Sequence, residues 1–465
     1  MRLYNTLTKG VEEFIPITDG EIKMYTCGPT VYSYAHLGNI RTYIAEDVFE
    51  KTFQYLGYKV KRVMNITDVG HLKSDGDVGE DKMAIASKRE HKSSREIARY
   101  YTEAFYEDCD LVNIKKPEIV IPATDKIDSY IKIISKLFEQ DIAYLSEGNV
   151  YFDTSKMANY YELSGINPED LFVAVREGIE EDINKRNPFD FGLWFTNSKF
   201  DNQELKWDSP WGVGYPGWHI ECSAIAIDCL GEYLDIHFGA EDAVFPHHSN
   251  EIAQSEAYLG HKWCNYWVHL SFLNTSDSKM SKSKGDTLRI KNLKEQGYNP
   301  LSYRYFILNT YYHKQVNFTF EALDSAEIAY LKMKSKILNL KTDGELEQDK
   351  YLNYDDKFKQ SLSDDLNTAN AITLIHQLLK DDQVNDSTKI KLIASWDTVL
   401  SLDLLTKEII KETNVSEEYI KDMISQRNTA KANKDYTEAD RIRQELLNQN
   451  IELEDTREGT TYKVV

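Results

Sequence analysis

Apolar positions follow two different rhythms over residues 1–70. From Glu21 to Cys27, Ile22, Met24 and Tyr25 make a short apolar stretch that runs into Gly28-Pro29, the pattern of a strand ending in a turn. From Leu37 to Leu56 the spacing changes. Ile40, Tyr43, Ile44, Val48, Phe49, Phe53 and Leu56 recur at helical intervals, with Gly57 as the stop. Lys59 to Ile66, with Val60, Val63 and Ile66, predicts a second strand. A helix of this length between two strands implies a parallel βαβ unit, the start of a Rossmann-type α/β domain.

Beyond it the pattern breaks up. Residues from about Asp108 to Pro210 mix short elements with Pro and Gly, which suggests an insertion. A second α/β portion is expected from about Trp211 to Leu288, with a strand at Leu234–Phe238 and a helix at Asn250–Leu259. After about Glu321 helical periodicity dominates, interrupted by a polar stretch, Lys341 to Lys350, read as a loop. The tail Gly459–Val465 is β-like. The expected organisation is a catalytic α/β domain over 1–320 with its insertion at about 108–210, a helical bundle over 321–402, and a small C-terminal domain over 403–465. There is no internal repeat.

Length and composition sharpen this only in part. A chain of 465 residues calls for several cores. It has no apolar run of roughly 18 residues, so no membrane span is expected. Met1–Thr6 lacks an apolar core and is soon followed by Glu12 and Glu13, which argues against a signal peptide. The five cysteines, Cys27, Cys109, Cys222, Cys229 and Cys264, are odd in number and scattered. That is no disulfide framework, and reduced thiols and a cytoplasmic location are expected. The net charge of −21 argues against a general nucleic-acid binder but leaves room for local basic patches.

Four features carry chemistry. Ala35-His36-Leu37-Gly38-Asn39 sits at the predicted start of the first helix. Free N–H groups there suit ATP phosphates, Gly38 permits close approach, and His36 can donate to phosphate. On this tetrapeptide alone, a turn histidine followed by a helix-start glycine is the plainer reading. Lys279-Met280-Ser281-Lys282-Ser283-Lys284-Gly285 places three lysines and no acid in one loop of an acidic chain. It is either a solvated loop or one that neutralises charge on a pyrophosphate. Cys27, Cys222, and His247 with Glu251 four residues on, could together hold a tetrahedral metal. No compact CxxC pair supports that, and His248 is also within helical reach of Glu251, so spacing leaves the histidine open. Finally, Arg427, Lys431 and Lys434 fall at i, i+4 and i+7, a basic stripe suited to RNA phosphates or to plain solvation.

Together the first two features resemble the HIGH and KMSKS signatures of class I aminoacyl-tRNA synthetases. Lys279 to Ser283 matches the second letter for letter. The first departs from its pattern, with Leu37 for Ile and Asn39 for the final His. Asn39 can still donate a hydrogen bond but cannot become an imidazolium. The strings Met24–Tyr32, Pro216–Ala224 and Phe245–Gln254 are similar to those of cysteinyl-tRNA synthetases. So are the C-terminal strings Asp435–Asp440 and Ile451–Thr461, which look like the family's anticodon-binding end.

The resemblance implies one Zn²⁺ per chain on Cys27, Cys222, His247 and Glu251, selecting cysteine over serine through its thiol. It further implies Thr67, Trp218, His237 and Asp242 near the substrate, with Asp242 placed for the α-ammonium group. His36, Gly38 and Asn39 would serve ATP with Mg²⁺, and Lys279 and Lys282 the closing loop. The implied partners are L-cysteine, ATP and tRNA-Cys, and the chain is expected to be a monomer. A cysteine:amino-sugar ligase of the same catalytic family is the alternative.

Overall fold

The computed structural model describes residues 1–69, 82–167, 184–197, 203–275, 288–342, 344–407, 417–433, 435–447, 449, 451–456 and 459–464. The chain forms two compact units, Met1–Leu405 and Thr406–Val465.

The first unit is built on a five-stranded sheet in the order Cys264–Leu270, Leu234–Ala240, Glu21–Thr26, Lys59–Ile66, Ile119–Pro122. All pairings are parallel. The expected βαβ unit is present, with the helix Leu37–Tyr55 between Glu21–Thr26 and Lys59–Ile66. Gly57 follows that helix at φ 97°, a conformation that suits glycine. Strand order reverses between Glu21–Thr26 and Leu234–Ala240. In such sheets the crevice beyond the carboxyl ends at this switch is where ligands bind.

A second, antiparallel sheet joins Ala143–Ser146, Asn149–Phe152, Phe191–Phe195 and Tyr215–Pro216. Both edges of the expected insertion therefore move. Ile119–Pro122 belongs to the central sheet, and Tyr215–Pro216 belongs to the inserted one. Ile119–Pro122 is short and ends in a proline, which an edge strand tolerates but which reads in sequence as a loop. Two helix starts also differ from expectation. The helix expected at Asn250 begins at His247, because its first turn buries polar side chains that give no apolar signal. The helix Gln348–Ser363 begins inside the stretch expected to be a loop.

The helix Leu37–Tyr55 buries charge as well as apolar surface. Asp47 accepts from Arg304 at 2.6 Å and from Lys51 at 2.7 Å. Arg304 also donates to Leu400 O at 2.7 Å and Val112 O at 2.9 Å, so one guanidinium ties three segments together. Both partners of this ion pair are fully buried. Arg304→Ala would remove a fully buried partner of the Asp47 carboxylate and leave Lys51 as its remaining cation, and is expected to cost about 3 kcal/mol of unfolding free energy, measured by urea denaturation.

The second unit contains the helices Glu417–Ala432 and Tyr436–Leu447 and the hairpin Ile451–Thr456 with Gly459–Val464. Its core is Ile420, Met423, Ile442, Leu446, Ile451 and Leu453. The expected basic stripe is not an exposed one. Arg427 is only 4% exposed and shares the inward face of its helix with Ile420 and Met423, at i−7 and i−4. Lys431 is half-buried, and Lys434 lies outside the described residues. Among the described residues no helix is long and apolar enough to cross a membrane.

Candidate active site and metal centre

Cys27 follows the central strand Glu21–Thr26 at the switch point. The turn that carries it is held by Asn65 Oδ1, which accepts from Gly28 N at 2.8 Å. A Cβ on Gly28 would lie 1.6 Å from Asn65 O, so the backbones can approach this closely only at a glycine. The helix Trp218–Leu230 presents Cys222 from one side. The helix His247–Leu259 presents His247 and Glu251, one turn apart, from the other.

The four side chains converge. Cys27 Sγ lies 3.9 Å from Cys222 Sγ and 3.9 Å from His247 Nε2. His247 Nε2 lies 3.0 Å from Glu251 Oε1. All four ligand atoms fall within 4.8 Å of one another. Cys222, His247 and Glu251 are buried, and Cys27 is half-buried. The electrostatics are those of a cation site. A hydrogen bond from Cys27 lowers the Cys222 thiol to about 6. Burial works to raise Glu251, yet His237 and His247 hold it down at about 2. Burial would lower His247, but Glu251 and Cys222 carry it up to about 10. Glu251 Oε1 is buried, and His247 is paired with it at 3.0 Å without the alignment of a full hydrogen bond. Two sulfurs, an imidazole and a carboxylate with a spare oxygen are a donor set that suits Zn²⁺.

A second set overlaps the first. Cys27, His237, His248 and Glu251 also lie within 4.8 Å. His248 Nε2 is 3.4 Å from Cys27 Sγ, and His237 Nε2 is 2.8 Å from Glu251 Oε2. These two histidines are fully buried and do not line the cavity, whereas His247 does. His237, expected near the substrate, therefore lies behind Glu251 and orients its carboxylate. His247 is oriented in turn by His219, with the two Nδ1 atoms 2.8 Å apart. His248 leads away through its Nδ1 to His269 Nε2 at 2.7 Å.

The cluster opens onto a cavity of about 550 Å³. Its lining includes Cys27, Cys222 and His247 at one end and His36 and Asn39 at another, with Thr67, Trp218 and Asp242 between. Trp218 stacks on His247, with ring centroids 4.1 Å apart and planes at 26°. The Thr67 hydroxyl donates to Glu221 Oε2 at 2.8 Å and accepts from Asn65 Nδ2 at 3.0 Å. Asp242 stands on the short turn Glu241–Val244.

At the other end, His36 is the N-cap of the helix Leu37–Tyr55. His36 Nδ1 accepts from Asn39 N at 3.2 Å, and Asn39 Oδ1 accepts from His36 N at 3.0 Å. This reciprocal cap uses the side-chain oxygen of Asn39. A Cβ on Gly38 would sit 2.9 Å from His36 Cε1, so the glycine makes room for that ring. Burial lowers the His36 imidazole, against the pull of Asp242. Lys279 and Lys282 lie outside the described residues. Asn65, His219 and Glu221 belong to the site but were not expected there. Each is a single polar residue between apolar or sulfur-bearing neighbours on a buried element, Asn65 between Met64 and Ile66, His219 between Trp218 and Ile220, and Glu221 between Ile220 and Cys222.

The chain is similar to known proteins over its whole length. The family model of the class I (C) tRNA synthetase catalytic domain matches residues 13–328, and that of the DALR domain matches 357–402. A cysteine–tRNA ligase from Treponema denticola is 42% identical, covering 100% of this chain and 99% of that protein. One from Borrelia turicatae is 41% identical with the same coverage. Among solved structures, the Mycobacterium tuberculosis methionyl-tRNA synthetase in complex with methionyl-adenylate shares the fold, with a TM-score of 0.53 at 16% identity over 84% of this chain and 92% of that one. On the matched domain and the full-length relatives, the chain belongs to the cysteine–tRNA ligase family of class I tRNA synthetases.

Proposed function

We propose that the protein activates L-cysteine with ATP and transfers it to the 3′ end of tRNA-Cys, with Zn²⁺ on Cys27, Cys222, His247 and Glu251 as the element that selects the thiol. The observation that carries this is the Cys–Cys–His–Glu cluster opening into the cavity that holds the His36 helix start. Bound there, Zn²⁺ supplies a position that favours a thiolate over a hydroxyl, which apolar contacts separate poorly.

The chain's own groups do the rest. Asp242 takes the α-ammonium group. Trp218 holds His247 in place by stacking and walls the thiol pocket. Because His36 Nδ1 accepts from Asn39 N, its proton sits on Nε2, which is then a donor for a phosphate oxygen. The cysteine carboxylate attacks the α-phosphate of ATP, and pyrophosphate leaves. The terminal adenosine hydroxyl of the tRNA then attacks the acyl carbon, and AMP leaves. No protein nucleophile takes part, so the protein contributes positioning and electrostatics. Lys279 and Lys282 are assigned to the pyrophosphate, together with Mg²⁺. We also place the protein in the cytoplasm as a monomer.

The amino-sugar ligase alternative has no support, since the relatives match the chain over its whole length, second unit included. The test is ATP–pyrophosphate exchange and tRNA charging beside a metal measurement on the same sample. Cysteine should support exchange, serine should not, and the protein should carry one zinc per chain. A metal-free sample with full cysteine-dependent activity would sink the zinc assignment.

A further inference from the structure

The helix start that carries His36 and Asn39 is tied to two other stretches of chain, at Ser271–Phe272 and at Leu288–Arg289. The first tie is Arg41, on the first turn of the helix Leu37–Tyr55 and only 1% exposed. Its guanidinium makes no ion pair among the described residues. It donates to backbone carbonyls instead: Ser271 O at 2.5 Å and Phe272 O at 2.8 Å through one nitrogen, and Tyr311 O, Tyr312 O and Lys314 O at 3.3, 3.2 and 2.7 Å through the other. Those carbonyls flank the paired strands Leu273–Thr275 and Val316–Phe318. A buried cation without a carboxylate is costly to keep, and five carbonyls shared between two terminal nitrogens suit a guanidinium fork better than an ammonium.

The second tie uses Arg289. Leu37 N donates to Leu288 O at 3.1 Å. Arg289 Nε donates to Asp108 Oδ2 at 2.8 Å, and the other oxygen of Asp108 accepts from Lys291 N at 3.0 Å. The Arg289 guanidinium also lies over Tyr34, 4.2 Å from the ring centroid, and Tyr34 lines the cavity. Between these two ties run residues 276–287, which carry Lys279 and Lys282 in the sequence.

We infer that Arg41 and Arg289 are positioning residues for adenylate formation. Arg41 fixes the chain before residue 276 to the helix start that offers His36 to ATP, and Arg289 holds the chain after residue 287 on Asp108, where the neighbouring Leu288 O accepts from Leu37 N of that helix start. Their effect falls on the step that uses ATP, not on the thiol pocket and not on transfer. The inference rests on the reading given under Proposed function. If wild-type protein shows no cysteine-dependent pyrophosphate exchange, that reading fails. If the wild type is active and the variants below match it, only this inference fails.

The experiment uses the full chain with Arg41→Lys, Arg289→Lys and Asp108→Asn. Each is expected to lower the maximal exchange rate by about a hundredfold, the size of effect that a small misplacement at a reacting centre produces. The KM for cysteine and the zinc content should stay at wild-type values. Single-turnover transfer from preformed cysteinyl-adenylate to tRNA should stay at the wild-type rate, a result that general structural damage would not give. Folded variants that exchange at the wild-type rate, or that lose both steps in parallel, overturn the inference. Should Arg41→Lys fail to fold, Arg289→Lys and Asp108→Asn decide the question by the same measurements, because they leave the Arg41 contacts in place.

Discussion

Cys222→Ser is expected to empty the metal centre and to raise the KM for cysteine by at least about a hundredfold, since even the loss of partners one layer out from a metal costs up to that much. The reason lies in the donor set. Cys222 is buried, is the sulfur that ionises more readily, and faces Cys27, His247 and Glu251 within one cluster. A serine hydroxyl at the same place does not ionise and is a harder, weaker ligand. The remaining three groups would keep a buried carboxylate and imidazole but only one thiol. ATP binding should survive, because His36 and Asn39 are fixed by their own reciprocal cap and not by the metal ligands. Elemental analysis of the purified variant, with calorimetric titration of ATP, separates the two effects. A fully zinc-loaded variant with an unchanged KM would remove Cys222 from the ligand set.

Ending the chain at Leu405 is expected to spare cysteine-dependent pyrophosphate exchange and to lower tRNA charging by about a hundredfold or more, the scale of lost positioning at a reacting centre. The two units have separate cores. Ile420, Met423, Ile442, Leu446, Ile451 and Leu453 pack among themselves, and the apolar clusters of the first unit run no further than Leu405. Every described residue assigned to ATP or cysteine lies in the first unit. Adenylate formation therefore has what it needs, while tRNA loses whatever the second unit offers it. A truncated protein that charges tRNA at full rate would strip the second unit of a role in tRNA recognition.

The helix Leu37–Tyr55 and its flanking strands were legible in sequence because one face of each is apolar and the periods differ. The site was legible in its ligands but not in their supports. Nothing in the spacing of His237 shows that it stands behind Glu251, because a strand buried on both faces gives no sign of which side chain meets which. Spacing could not choose between His247 and His248 either. Both approach Cys27, and His247 is set apart by its place in the cluster with Cys222 and by its access to the cavity. Arg427 misled for the opposite reason. Charge at helical spacing was read as a wet face, whereas its position relative to Ile420 and Met423 places it inside. Asn39 departs from the signature motif, and its place in the cap with His36 could not be read from the motif alone.

The central strand of the sheet has a consequence for how the chain is made. Glu21–Thr26 leaves the ribosome well ahead of one of its two neighbours, Leu234–Ala240, which follows more than 200 residues later. Until then one edge of that strand has no ladder partner, and unpaired edges invite wrong pairings. Cys27 waits with it, 195 positions ahead of Cys222 and 220 ahead of His247. The four-residue cluster can form only after the last helix of the crevice has emerged. Metal uptake during synthesis would therefore mark the moment at which the sheet closes from both sides.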